Sequence, residues 1–149
     1  MNTNQYGVED MGYITSRKYL PRSAQEMARR TWYNMWRRKR WPYGELLRGD
    51  LLYWYESPSK EIVWETYIKK IERFRYGNKA GAAQKIERRL GTVDRTEPYY
   101  RTRPEKGYCL AFKVGQVRKV RLPKPGAVRF PRVGWQRVTE SIANKWPAW

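Results

Sequence analysis

The chain has 149 residues, 40% of them hydrophobic and 15% aromatic, and its 32 Lys and Arg against 14 Asp and Glu give a formal charge of +18. That length suits one domain with a real core, and the charge points to a polyanionic partner. With no histidine and a single cysteine, the sequence excludes a Ser-His or Cys-His nucleophile, a His-rich metal site, a zinc cluster and an intramolecular disulfide.

The charge excess is local. Residues 17–48 hold ten basic and two acidic side chains and residues 101–137 hold eleven and one, so these two segments carry the whole excess. Two basic segments around a balanced middle are expected to converge on one face and grip a phosphate backbone. A merely solvated surface ranks lower, because unneutralised self-repulsion on this scale opposes compactness.

Met1 to Asp10 lacks the cationic start and apolar run of a secretory signal, and residues 1–11 are expected to be a flexible N-terminus ahead of one domain over 12–149. Gly12 to Ser16 reads as a short strand. A helix is expected from Ser23 to about Arg38, started by the Ser23/Glu26 capping box and supported by Ala24, Met27, Ala28, Thr31 and Met35 at helical spacing. Trp41-Pro42-Tyr43-Gly44 breaks it. Gly49-Asp50 opens a buried strand, Leu51 to Tyr55, and Ser57 to Lys60 turn the chain into a second strand from Glu61 to Lys69, giving a hairpin. A second helix runs from Asn78, its N-cap, to Leu90, with Ala82, Ala83, Ile86 and Leu90 inward and Gly91 past its end.

Residues 92–106 read as polar and irregular, interrupted by Pro98-Tyr99-Tyr100. Gly107 to Val114 and Gln116 to Leu122 are two strands or one long bent strand, with Cys109 as a small buried hydrophobe in the first. Pro123 to Gly126 turn the chain, Val133 to Val138 form a last short strand, and Ile142, Trp146 and Trp149 dock on the core. Strands on both sides of two helices give an α+β fold with a curved, mainly antiparallel sheet or small barrel.

Gly49-Asp50-Leu51-Leu52-Tyr53-Trp54-Tyr55-Glu56-Ser57 resembles the signature of EVE domains, in which Gly-Asp precedes an apolar strand ending in an aromatic pair, a polar residue and Ser. The likeness extends through Val63 to Lys69, Pro98-Tyr99-Tyr100 and the strands after Tyr108, from Tyr13 to about Val138. Glu56 departs from it, since His is usual there, and so does the heavy basic load. EVE domains belong to the PUA-like superfamily with the YTH and ASCH groups. The resemblance implies a small twisted barrel flanked by helices, whose pocket accepts one flipped and often modified base.

A flipped base needs aromatic walls and a few polar groups for its edge. The expected walls are Trp32 or Trp36 from the first helix, Trp54, Tyr55 and Ser57 at the strand end, and Trp135. Because a strand alternates its faces, Trp54 and Tyr55 are not expected to point to the core together, which leaves one of them looking outward. Core packing is the default for the other aromatics, Trp64, Phe112 and Trp146 among them. Phosphate contacts are expected from Arg29, Arg30, Arg37, Arg38, Lys39 and Arg40, interleaved with Trp32, Trp36 and Trp41, and from Arg118, Lys119, Arg121, Arg129, Arg132 and Arg137.

Asp50, Glu56 and Glu65 are the carboxylates that a metal-dependent nuclease would use, but the usual nuclease strand motif is missing, and no glycine-rich phosphate loop occurs. The expectation is therefore an intracellular, cytoplasmic or nucleoid-associated binding protein with no catalytic residue, metal or other cofactor. Its partner is RNA or DNA, not a membrane. A structural component of a ribosome or other ribonucleoprotein is the alternative, and a nuclease accessory the weakest one.

Overall fold

The computed structural model describes residues 12–130 and 134–146. In chain order the elements are β1 (Tyr13–Arg17), α1 (Ala24–Arg29), β2 (Trp32–Trp36), β3 (Leu51–Glu56), β4 (Glu61–Tyr76), α2 (Lys79–Arg89), α3 (Pro98–Arg101), β5 (Gly107–Pro123), β6 (Trp135–Arg137) and α4 (Glu140–Lys145). The strands form one six-stranded sheet in the order β2-β5-β4-β3-β1-β6. Only β1 and β3 pair in parallel; the other neighbours are antiparallel.

The sheet curls. Its edge strands β2 and β6 lie at opposite ends of the strand order, yet Trp135 Nε1 on β6 donates to Asn34 Oδ1 on β2 at 3.3 Å. Three register shifts along β4 and β5, near Ile62, Glu65 and Ile68, supply the bends that allow this half-barrel. The long strands β4 and β5 are its spine, and β5 is continuous where the sequence left one strand or two open.

Both faces of the sheet are covered. Inside the curl, Trp32, Trp54, Phe112 and Trp135 pack with Met27, Leu46, Leu52 and Trp64. On the outer face Tyr33, Met35, Phe74 and Tyr76 meet Ala82, Ala83 and Ile86 of α2. Beside them Ile14, Tyr53, Tyr55 and Ile62 are covered by Val128, Val138, Ile142 and Trp146. Two-sided burial is why the strands read as near-continuous apolar runs rather than alternating ones.

This corrects the expectation about Trp54 and Tyr55. They do alternate, but both are buried, at 0% and 5% exposure, because the C-terminal segment closes the face on which Tyr55 lies. Phe130 packs against the Tyr55 ring at 4.5 Å.

The first helix also differs from its expected length. Ser23 caps it, its Oγ accepting from Glu26 N at 3.2 Å, but the helix ends at Arg29 and Arg30 is already extended, with ψ 150°. Trp32-Tyr33-Asn34-Met35-Trp36 is a strand instead, paired with β5 from Trp32 opposite Phe112 to Trp36 opposite Tyr108. The helical spacing of Met27, Thr31 and Met35 lost to the β-preference of this aromatic run and to the two faces it must bury. Gly107 lies so close to the Trp36 carbonyl that a Cβ there would sit 2.0 Å from the oxygen.

Other local expectations hold. Asn78 Oδ1 accepts from Gly81 N at 2.7 Å and caps α2. Gly49, at φ +93°, turns the chain into β3, and Asp50 Oδ2 accepts from Leu47 N at 2.7 Å. The segment expected to be irregular contains the short α3, with Pro98 in its first turn. α4 was not expected, and Trp149 and Val133 lie outside the described residues. No described helix is long and apolar enough to cross a membrane.

Trp54→Ala is expected to lower unfolding free energy by about 3–5 kcal/mol in urea titrations, the range for removing a large buried aromatic. Tyr55→Ala should also destabilise clearly. A Tyr55→Ala change within about 0.5 kcal/mol, as at an exposed site, would contradict the closed outer face. Burial also pushes the Cys109 thiol up to about 12. Native protein at pH 8 should therefore resist alkylation, and unfolded protein should react at once.

Candidate nucleic-acid interface

The alternation of β2 places Trp32, Asn34 and Trp36 on the concave face of the sheet and Tyr33 and Met35 on the other. Trp32 and Trp54 stand 4.4 Å apart, ring centre to ring centre, and Trp54, Phe112 and Trp135 continue the cluster at 6.1 and 6.0 Å. Each indole N–H has its own acceptor. Trp32 donates to the Met27 carbonyl at 3.3 Å, Trp54 to Thr66 Oγ1 at 2.9 Å and Trp135 to Asn34 Oδ1 at 3.3 Å. The rings are thereby fixed in place.

Against these rings lies a cation. Arg17 ends β1, and its guanidinium carbon is 5.6 Å from the Trp54 ring centre and 5.9 Å from that of Trp32. Its Nη2 reaches Asn34 Oδ1 at 3.5 Å, while its Nε is buried without a hydrogen-bond partner. Among the described residues no carboxylate comes within ion-pair distance of it. Burial pulls its pKa below the ordinary value, opposed by Tyr99 and Glu97. A guanidinium does not deprotonate in a protein, so the charge persists at a desolvation cost that cation–π contact only partly offsets.

Arg17 lines a cleft of about 420 Å³ with Lys18, Tyr19, Arg30, Trp32, Tyr33, Glu97 and Tyr99. Tyr99 Oη accepts from Asn34 Nδ2 and from Met35 N, both at 3.3 Å, which fixes the amide of Asn34. The Tyr33 hydroxyl is buried without a partner, and burial pushes its pKa upward. Two unsatisfied polar atoms at one cleft are uncommon in a folded protein. Arg30 stands over the outer face of Trp32 at 5.4 Å.

Of the expected pocket residues, Trp32, Trp54 and Trp135 come together. Trp36 lies at the far end of β2, Tyr55 is on the opposite face of the sheet, and Ser57 sits in the exposed β3–β4 turn. The Ser57 amide is already engaged, donating to the Arg17 carbonyl at 3.0 Å.

The expected phosphate contacts divide. Arg29 and Arg30 are exposed beside the cleft, Arg29 with Glu26 3.9 Å away. Arg37, Arg38, Lys39 and Arg40 follow β2 in an exposed series. Arg118 and Arg121 pair with Glu65 and Glu61 at 2.9 and 3.3 Å, and Lys119 lies over Trp64 at 5.8 Å. Arg137 pairs with Glu45, which also accepts from the Tyr13 hydroxyl at 2.8 Å. Arg129 is exposed, and Arg132 lies outside the described residues.

Asp50, Glu56 and Glu65 do not gather. Glu56 is buried and accepts from Leu20 N at 3.3 Å and Arg22 Nη1 at 3.0 Å, holding the segment after β1. Among the described residues no three Asp, Glu, Cys or His side chains meet as a metal site would need.

Sequence reasoning missed Arg17, Asn34 and Tyr99 as site residues. The signal was there in Asn34, a lone amide inside an aromatic run that becomes a strand buried on both faces.

No family model matches the chain, and no curated protein matches it. Solved structures do. The ASCH protein of Zymomonas mobilis is 12% identical with a TM-score of 0.58, over 89% of this chain and 91% of that one. A Tyr-to-Phe variant of it is 12% identical with a TM-score of 0.59, over 89% and 94%. A Ser-to-Ala variant is 14% identical with a TM-score of 0.58, over 89% and 92%. The likeness is one of fold: this chain folds as an ASCH domain does, within the PUA-like architecture. The solved structures it resembles are ASCH structures, so the expected fold is met in its overall architecture and EVE in particular is not shown.

A partly buried cation with no carboxylate at ion-pair distance among the described residues opposes folding. Arg17→Met, which keeps the length of the side chain, should leave the thermal midpoint unchanged or raise it. A fall of more than about 3 °C, roughly 1 kcal/mol for a chain of this size, would mean that the guanidinium itself holds the barrel closed.

Proposed function

We propose that this protein binds RNA or DNA without cleaving it, seating one base, lifted from its stack, in the cleft at the start of β2. The observation that carries the reading is Arg17. Its charge is held over two indoles beside an open cleft, with an unpaired Nε and, among the described residues, no carboxylate at ion-pair distance. A guanidinium only donates, so its complement is an acceptor on a base edge or a phosphate oxygen. Trp32 and Tyr99 supply aromatic surface and Asn34 a fixed amide. The rim residues Tyr19 and Arg30 are exposed, which leaves room for a base that carries an added substituent. The charge of +18 supplies the long-range attraction to any strand.

One observation favours the second reading, a structural component of a ribonucleoprotein. Unpaired cations also occur well away from the cleft, in the series Arg37 to Arg40. Sequencing the nucleic acid that copurifies with the protein separates the two, since a reader returns many short discrete sites and a structural component one abundant folded RNA.

Affinity for any single strand should fall by roughly three to five decades between low and moderate salt if six to ten phosphates are neutralised. Arg17→Met should weaken binding at every salt concentration while leaving the salt slope within about one unit, because its contact is buried rather than part of the ion atmosphere. A flat salt response, or turnover of the oligonucleotide by purified protein, would overturn the reading.

A further inference from the structure

β2 ends at Trp36, and four exposed cations follow it without a break: Arg37, Arg38, Lys39 and Arg40. With Trp36, Trp41 and the facing segment 102–105 they line a groove of about 1010 Å³. At Arg37 the groove continues into a second hollow of about 380 Å³ that adds Arg75, Lys106 and Tyr108.

Ion pairing sets this surface apart. Seven Arg side chains elsewhere have carboxylate partners, yet none of Arg37, Arg38, Lys39, Arg40, Arg75 or Lys106 has one among the described residues. The one carboxylate in the lining, Glu105, accepts from Lys79 N at 3.2 Å. Crowded, unneutralised like charges repel, and a polyanion relieves that repulsion.

Aromatic rings lie among the cations. Trp41 is 38% exposed, one of only three large hydrophobic side chains so open among the described residues, and Lys39 stands 5.6 Å from the Tyr108 ring centre. Trp41 is held from behind by Tyr13 at 6.0 Å and by Arg137 at 5.5 Å. Rings of this kind stack on unpaired bases, whereas the base faces of a duplex are already stacked on one another.

From these observations we infer that the groove is a second subsite that binds the single-stranded segment flanking the base in the Arg17 cleft, with cations on its phosphates and Trp41 on a base. The inference rests on the proposed function. The two subsites flank β2: Arg37 lies six steps along the chain from Thr31, which at about 3.3 Å each spans about 20 Å. A strand occupying both must run alongside β2, from Thr31 before it to the exposed Arg37 after it.

The test is fluorescence anisotropy with end-labelled 12-mers of uridine RNA and thymidine DNA and with a 12-base-pair duplex, at several salt concentrations. Wild-type protein should bind both single strands at least tenfold tighter than the duplex, and the tighter of the two identifies the natural strand. Arg37→Glu/Arg38→Glu/Arg40→Glu should lose at least a hundredfold in single-strand affinity and lower the salt slope by about two units, as three lost phosphate contacts would. Trp41→Ala should lose about 5- to 150-fold with no change in slope, and Trp41→Phe should recover most of it. Thermal midpoints for all variants separate lost binding from lost folding. Equal affinity for the duplex overturns the single-strand assignment. Unchanged affinity in a folded triple variant, with Arg17→Met still defective, overturns the groove and spares the cleft. The reverse pattern, a defective triple variant and normal Arg17→Met, overturns the cleft and spares the groove.

Discussion

The two edges of the sheet meet at a single oxygen. Asn34 Oδ1 on β2 accepts from the Trp135 indole on β6, and the same oxygen lies 3.5 Å from the Arg17 guanidinium at the end of β1. The amide has no freedom to turn away, because its Nδ2 donates to the Tyr99 hydroxyl. Closing a sheet of six strands in this way requires bends, which the register shifts of β4 and β5 provide, and a polar group inside an aromatic core, which Asn34 provides. A buried amide that lost these partners would be costly.

That closure explains the unusual position of Arg17. β1 lies between β3 and β6 in the sheet, so once β6 meets β2 the end of β1 faces into the curl. The arginine there lies over the indoles of Trp32 and Trp54, with its Nε out of reach of water. Elsewhere in the molecule buried charge is answered: Glu56 has Arg22, the Leu20 amide and Ser59. Arg17, partly buried, has Glu97 in the same cleft but no ion pair among the described residues. On this account the site is a place where folding is opposed locally so that an anionic or electron-rich ligand has something to answer, the usual trade between stability and function.

Much of the fold was legible in the sequence. Gly49-Asp50 located β3, Ser23 and Asn78 located two helix starts, and the apolar runs located β4 and β5. These features depend on neighbours in sequence, which is why they can be read there. What was not legible depends on contacts across the chain. Thr31 to Trp36 carries a helical period and a strand composition at once, and only pairing with β5, some 75 residues on, decides between them. One of Trp54 and Tyr55 was expected to look outward because nothing nearby in sequence announces that Phe130 and Trp146 cover Tyr55. The site was half visible for the same reason. Its aromatics and its basic segments stood out by composition, whereas the choice of Arg17 from among many cations follows from the closure of the barrel. The outer cations Arg118 and Arg121 looked equivalent in sequence and are answered by Glu65 and Glu61 across the hairpin.

The central claim is that a base sits beside Arg17, between Trp32 and Tyr99. The most direct measurement is photo-crosslinking of a 12-mer carrying one 4-thiouridine at successive positions, followed by mass spectrometry of the linked peptides. The account predicts that one position of the strand links to Trp32 or Tyr99. Links confined to the outer hairpin around Lys119, with none at Trp32 or Tyr99 from any position, would contradict it.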